Sequence, residues 1–207
     1  MLVIFTLIST GCFRSGQQKK TNHNITSDSG QWQSNQRKQT STKIPHQKKI
    51  ESNVSLPQPF MPKHLIIPTI NVSANIKPVG VLENGQMDIL KATDVVGILH
   101  PGILAGAKGN LVLDGHVDSY TGPAVFFNLK KLKPGDVIII RDNKDHQLTY
   151  RVESVETFIT SQAPIHRIFG ETDDIRLNLI TCTGRYSRKK KEHEQRLIVF
   201  AKLDGEK

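Results

Sequence analysis

The chain has 207 residues and a mass of 23.2 kDa, the size of one domain or one domain with an appendage, which excludes multi-domain catalytic machinery. Apolar residues at 37% and charged residues at 23%, with 15 Gly and 10 Pro, permit a packed core and exclude collagen-like, coiled-coil and multi-spanning membrane proteins. The net charge of +9 is uneven: residues 14–60 hold eight Lys/Arg against Asp28 and Glu51, a balance of +6 that leaves +3 for the rest. The basicity therefore belongs to a tail, and it licenses attraction to an anionic surface rather than a nucleic-acid-binding fold.

Met1 to Phe13 is an uncharged apolar run followed at once by Arg14. At about 1.5 Å per residue it makes about 20 Å of helix, short of a bilayer span. Three readings fit: a secretory signal core, the surviving half of a truncated membrane anchor, or an apolar terminus of no consequence. Ser9-Thr10-Gly11-Cys12 is similar to a bacterial lipoprotein cleavage site, with Ser9 where that pattern prefers Leu. Arg14, Lys19 and Lys20 oppose export of this flank if the segment is an uncleaved anchor. From 14 to 60 the chain is rich in Gln, Asn, Ser, Thr and Lys without a sustained period, and cannot bury enough apolar area to offset ordering. It reads as a flexible basic linker that Pro57, Pro59 and Pro62 stiffen before a domain over 61–207.

Within that domain the apolar clusters are short and set off by turn formers. Strands are expected at Leu65 to Ile67, Ile70 to Ile76, Val79 to Leu82, Met87 to Leu90, Val95 to Leu99 and Leu111 to Leu113, with a turn at Glu83-Asn84-Gly85. Pro123 to Leu132 reads as a short surface helix with Val125, Phe126, Leu129 and Leu132 on one side. Val137 to Ile140 and Leu148 to Val155 read as a hairpin, the second strand alternating imperfectly. Pro164 to Phe169 reads as a short helix, Ile175 to Thr181 as a strand with Ile175, Leu177 and Leu179 inward, and Leu197 to Leu203 as the last β segment. About eight strands with no repeated strand and long-helix unit predict a mostly β fold: a closed, mostly antiparallel eight-stranded barrel with short helices.

Two cysteines, Cys12 and Cys182, stand 170 positions apart, which supports neither a disulfide scaffold nor a structural zinc site. Cys182 is expected where a buried strand releases into a loop. Core packing and nucleophilic chemistry both fit it there, since a thiolate is a competent acyl-transfer nucleophile. His116 sits in the loop-like GHVDSYTG, emerging from the strand that ends at Leu113, and fits either a structural or an acid-base role. Arg196 opens the final strand 14 residues after Cys182, a separation that allows a turn to bring its guanidinium near the sulfur. Asp114 and Asp118 flank His116 and are candidates to orient it, Asp118 serving equally as a turn residue. His116 and Asp118 lack a third metal ligand, so neither metal nor cofactor is expected. The run Arg185 to Lys191 is read as an exposed basic loop.

Around these three residues the chain resembles the sortase family of cysteine transpeptidases. The family's Thr-Leu-x-Thr-Cys strand end is matched by Asn178-Leu179-Ile180-Thr181-Cys182, departing at the first position. Its glycine and histidine after a strand are matched by Gly115-His116, its arginine by Arg196 before Leu197-Ile198-Val199, and residues 123–140 are similar to its helix-to-strand stretch. The resemblance covers about residues 63–203 and is closest to the compact class F, with Val117 after the histidine where several relatives carry arginine. It implies cleavage of a sorting signal similar to Leu-Pro-x-Thr-Gly by Cys182 through a thioester, with transfer to a cell-wall amine or water. It also implies His116 as proton carrier, Arg196 as donor to the carbonyl, and Thr181 and Thr183 beside Asp118 as support or substrate contacts. Location at a Gram-positive-type membrane with the domain outside follows from it too. An L,D-transpeptidase-like enzyme lacks its expected serine-glycine-cysteine style motif here. A noncatalytic β-barrel binding module, with Tyr186 and the basic run as its nucleic-acid contacts, is the competing class; no specific nucleic acid is expected, since aromatics are 6%.

Overall fold

A computed structural model of the chain describes residues 56–83, 85–189 and 192–205. The apolar terminus, nearly all of the basic linker, Asn84, Lys190 and Lys191 lie outside the described residues. Among those described, no helix is long and apolar enough to cross a membrane.

The strands are β1 (His64–Ile67), β2 (Val72–Val79), β3 (Val96–Leu99), β4 (Gly109–Asp114), β5 (Asp118–Ser119), β6 (Gly122–Pro123), β7 (Val137–Arg141), β8 (Gln147–Ile159), β9 (Ile175–Ser187) and β10 (Glu192–Leu203). Eight of them close a barrel in the order β1-β2-β3-β4-β9-β10-β8-β7, while β5 and β6 pair separately. Pairing is antiparallel except at β2–β3 and β4–β9. The expected barrel is thus the fold, and closure removes the exposed sheet edges that an open β structure would carry. Phe60 already belongs to it, exchanging backbone hydrogen bonds with Ala105 at 3.0 and 3.1 Å.

Alternation along each strand sends one set of side chains inside. Leu65 and Ile67, Leu111 and Leu113, Ile138 and Ile140, Leu177 and Leu179, and Leu197 and Val199 are all buried in this core. The imperfect alternation of β8 has a local cause. Opposite β10 the register passes from Phe200 with Ser154 to Ala201 with Val152, so Glu153 is an extra residue. Such a bulge moves the following residues onto the other face.

A second, smaller core lies outside the barrel wall. Ile168 of α1 (Ile165–Phe169) packs on Ile198 and Phe200, with Phe158, Ala163 and Ile180 around them. Arg167 stacks its guanidinium 3.6 Å from the Phe200 ring centroid and pairs with Glu156 at 2.8 Å. Beneath α1 the Asn178 amide donates to Ile168 O at 2.8 Å and to Asn110 Oδ1 at 2.9 Å, while Asn110 Nδ2 donates to Gly170 O at 2.8 Å. Asn178, the position that departs from the sortase-like strand motif, therefore ties a five-residue helix to the barrel. That helix is too short to be stable by itself. Asn178→Ala leaves buried acceptors unpaired and should cost about 2 to 3 kcal/mol, roughly 5 to 10 °C in Tm. Thermal and urea unfolding read this directly, and a change below about 0.5 kcal/mol would remove the clamp from the account.

Four expected elements differ. The strand expected over Val79 to Leu82 does not form separately, since Val79 closes β2 and Val81 makes only an isolated bridge. Only Met87, bridged to Val81, pairs within Met87 to Leu90, because Asp88 Oδ1 accepts from the Ile89 N–H at 2.8 Å and Leu90 O is engaged elsewhere. The helix expected over 123–132 is a single 3-10 turn at Leu129–Lys131, since Pro123 is drawn into the β5–β6 ladder. The predicted side is nevertheless the buried one, with Phe126, Leu129 and Leu132 in the core. Finally, Cys182 does not sit at a strand end and Arg196 does not open β10: both strands continue beyond them as a hairpin that holds Arg185 to Ser187 in β9. Of the described residues in the basic run, Arg185 to Ser187 are strand rather than loop, and Arg188 and Lys189 form a turn.

Candidate active site

The long β9–β10 ladder pairs Cys182 with Arg196 and Ile180 with Ile198. Facing residues of an antiparallel pair project to the same side with Cβ atoms about 5 Å apart. As Leu179, Thr181 and Leu197 are buried inside, Cys182 and Arg196 project from the outer wall. Just past them the register slips between His193 and Gln195, and Gly184 takes φ 76°. A side chain there would start in the left-handed region and put Cβ 2.5 Å from Gln195 Oε1. This glycine bulge bends the hairpin end beside the thiol.

β4 delivers His116 to the same wall. Gly115 N donates to Ile180 O at 3.1 Å, and the buried Thr181 hydroxyl donates to Gly115 O at 2.7 Å, so the residue before His116 is fastened twice to the cysteine strand. Glycine is required there because a Cβ would meet the Phe126 ring at 2.7 Å. The imidazole Nε2 donates to Leu90 O at 2.7 Å, which leaves Nδ1 as the other ring nitrogen. Arg196 donates three times, to Thr160 Oγ1 at 3.2 Å, His193 O at 3.0 Å and Gln195 O at 3.1 Å, each from Nη1. Nε and Nη2 are the donors it has left among the described residues.

His116, Cys182 and Arg196 line one cleft of about 940 Å³. Ile165, Ile168 and Phe169 of α1 with Ile180 and Ile198 give it an apolar lining, to which residues of the segment from Gly85 to Thr93 also contribute. An apolar cleft with a few converging polar groups is the usual form of a ligand-binding site. Asp118 also lines it, but its carboxylate lies 3.5 Å from His193 Nε2 rather than orienting His116. Thr181 and Thr183 are not among the lining residues. Leu90, Thr160 and His193 went unrecognised in the sequence, two of them because they act through backbone carbonyls, which any residue type supplies. Burial pushes the Cys182 thiol up; Arg196 opposes this, while Asp114, Asp118 and Glu192 add to it. Burial likewise pushes Asp114 up to about 6, against the pull of His116 and Arg196.

A family model for the sortase domain matches residues 65–204. The chain belongs to the sortase family. The sortase has the fold of sortase C-1 from Actinomyces oris, at 25% identity and a TM-score of 0.55, with 70% of this chain and 72% of that one covered. Sortase A from Corynebacterium diphtheriae superposes with a TM-score of 0.56 at 22% identity, over 72% of this chain and 63% of that one. A Clostridium perfringens sortase D5 transpeptidase gives 0.52 at 23%, over 70% and 79%. No curated protein matches the chain. Family and fold together support a general cysteine-transpeptidase activity on proteins bearing sorting signals, of the kind that sortases carry out outside the cell.

Proposed function

We propose that this sortase cleaves a C-terminal sorting signal similar to Leu-Pro-x-Thr-Gly through a thioester on Cys182 and passes the acyl group to a cell-wall amine. The observation that carries the reading is the cross-strand pairing of Cys182 with Arg196 in a cleft that also receives His116. The Cys182 sulfur attacks the threonyl carbonyl as thiolate, and the oxyanion accepts hydrogen bonds from Arg196 through Nε or Nη2. The carbon–nitrogen bond to glycine then breaks, and His116 gives its proton to the departing amine. An acceptor amine adds to the thioester and yields its proton to His116, and the sulfur leaves as thiolate. With Nε2 held by Leu90, Nδ1 is the nitrogen for this exchange. The raised thiol makes the attacking thiolate a minority form at neutral pH.

Thr181 supports the site by tying Gly115 to β9, Asp118 contacts His193 in the cleft, and Thr183 next to the nucleophile is a candidate substrate contact through its backbone. We assign residues 61–207 as the catalytic domain behind a basic linker and an apolar N-terminal segment, with the domain outside a Gram-positive-type membrane as in the sortase family. We infer class F from the resemblance of the compact domain, with which Val117 after the histidine is compatible.

Full-length protein incubated with a panel of sorting-signal peptides and an amine tests the reading. Intact and peptide mass spectrometry should find an acyl adduct on Cys182 and an amine-linked product. Absence of any adduct across the panel, with tight oligonucleotide binding lost on changing Arg185 and Arg188, would favour the noncatalytic binding module instead.

A further inference from the structure

Asp114 is the last residue of β4, and none of the described residues gives its carboxylate a hydrogen bond or an ion pair. On β4 Leu111 and Leu113 point into the barrel, so Asp114 projects outward, and it lines the cleft with Cys182. The parallel register sets Asp114 beside Ile180, two residues before Cys182 on the same face of β9. Asp114 and Cys182 are therefore diagonal neighbours across the β4–β9 seam, a separation of roughly 7 Å. Asp114 is half-buried at the cleft wall, and a carboxylate set there beside the thiol without an ion pair makes a function that uses its charge the natural place to look.

We propose that Asp114 acts through Cys182: its negative charge across the seam offsets part of the pull of Arg196 and so adds to burial in favouring the protonated thiol in the resting nucleophile. A thiol is far less reactive than a thiolate toward oxidants and stray electrophiles, and an extracellular nucleophile meets both. The carboxylate, pushed up to about 6 by burial, is ionised at neutral pH and so repels a thiolate there. Other charges face the same space: Lys91 from the β2–β3 segment, His116 and Asp118 after β4, Tyr186 on β9, and Glu192, His193 and Arg196 on β10. Arg196 opposes the effect, and Asp118 and Glu192 add to it. The inference rests on the proposed function only in taking Cys182 as nucleophile.

The test is the pH dependence of iodoacetamide alkylation of Cys182 in the full chain, with Asp114→Asn, Asp114→Ser and Asp114→Glu beside the wild type. At about 7 Å, removing one charge should lower the thiol midpoint by about one pH unit in the Asn and Ser variants. Alkylation at pH 7 should then rise roughly threefold, because the extra thiolate is individually less nucleophilic. The Glu variant keeps the wild-type midpoint. The folded carboxylate titrates above its ordinary 3.8, so it costs stability above about pH 6 and none below its unfolded value. Asp114→Asn should accordingly melt above wild type at pH 8, with the gap closing toward pH 4. An unchanged or higher midpoint in both neutral variants, or neutral variants that fail to fold, overturns the proposal. Alkylation needs no sorting peptide, so a wild type that forms no acyl adduct yet shows the shift would retire the transpeptidase reading alone.

Discussion

Cys182→Ala should abolish transpeptidation, a loss of about 10⁴-fold or more, because no other group in the cleft can form the thioester. Cys182 stands within the continuous β9–β10 ladder and its sulfur reaches the cleft, so truncation removes the nucleophile without touching the barrel interior. The variant should therefore keep its melting temperature within a few degrees of wild type, a cost of about 1 kcal/mol or less. Peptide cleavage by mass spectrometry and thermal unfolding on the same sample separate these two outcomes. Cleavage at the wild-type rate in a folded Cys182→Ala protein would move the chemistry to another residue.

Arg196→Lys should lower the acylation rate about 100- to 1000-fold while leaving peptide binding closer to wild type. Removing one oxyanion donor costs about 3 to 4 kcal/mol in comparable acyl-transfer sites. Lysine keeps the charge and loses the geometry. Nη1 is spent on Thr160 Oγ1 and two carbonyls, and this anchoring aims the rest of the planar guanidinium. An ammonium has one nitrogen and cannot make those bonds and also present a second, fixed donor. Single-turnover acylation, with KM compared against kcat, is the discriminating measurement. A Lys variant within about threefold of wild type would reduce Arg196 to a charge, and one that fails only in KM would make it a binding group.

The barrel was legible because closed β structure has a short-range code. Alternating apolar residues at 65–67, 111–113 and 175–179 place those strands without reference to anything distant. Pro164 at the N-cap of α1 gave that helix away in the same manner. The segments that misled were those where non-local bonds decide. Met87 to Leu90 has strand-like composition but gives its backbone to Asp88 and His116. The stretch 123–132 carries helical punctuation, yet β5 captures its first proline residue.

Sequence alone determined the fold class and the three segments that bear the candidate chemistry, because alternation, turn residues and the order of the motifs are local properties. Tertiary structure decided which groups share a wall. The β9–β10 register puts Arg196 opposite Cys182, Thr181 and Ile180 fasten Gly115, and Leu90 takes one nitrogen of His116 from 26 residues away. It also turned Asp118 toward His193 and left Asp114 in the same cleft as the thiol. A side chain's type is written at its own position, whereas its electrostatic neighbours are fixed by strand pairings between distant parts of the chain, and charge acts through space.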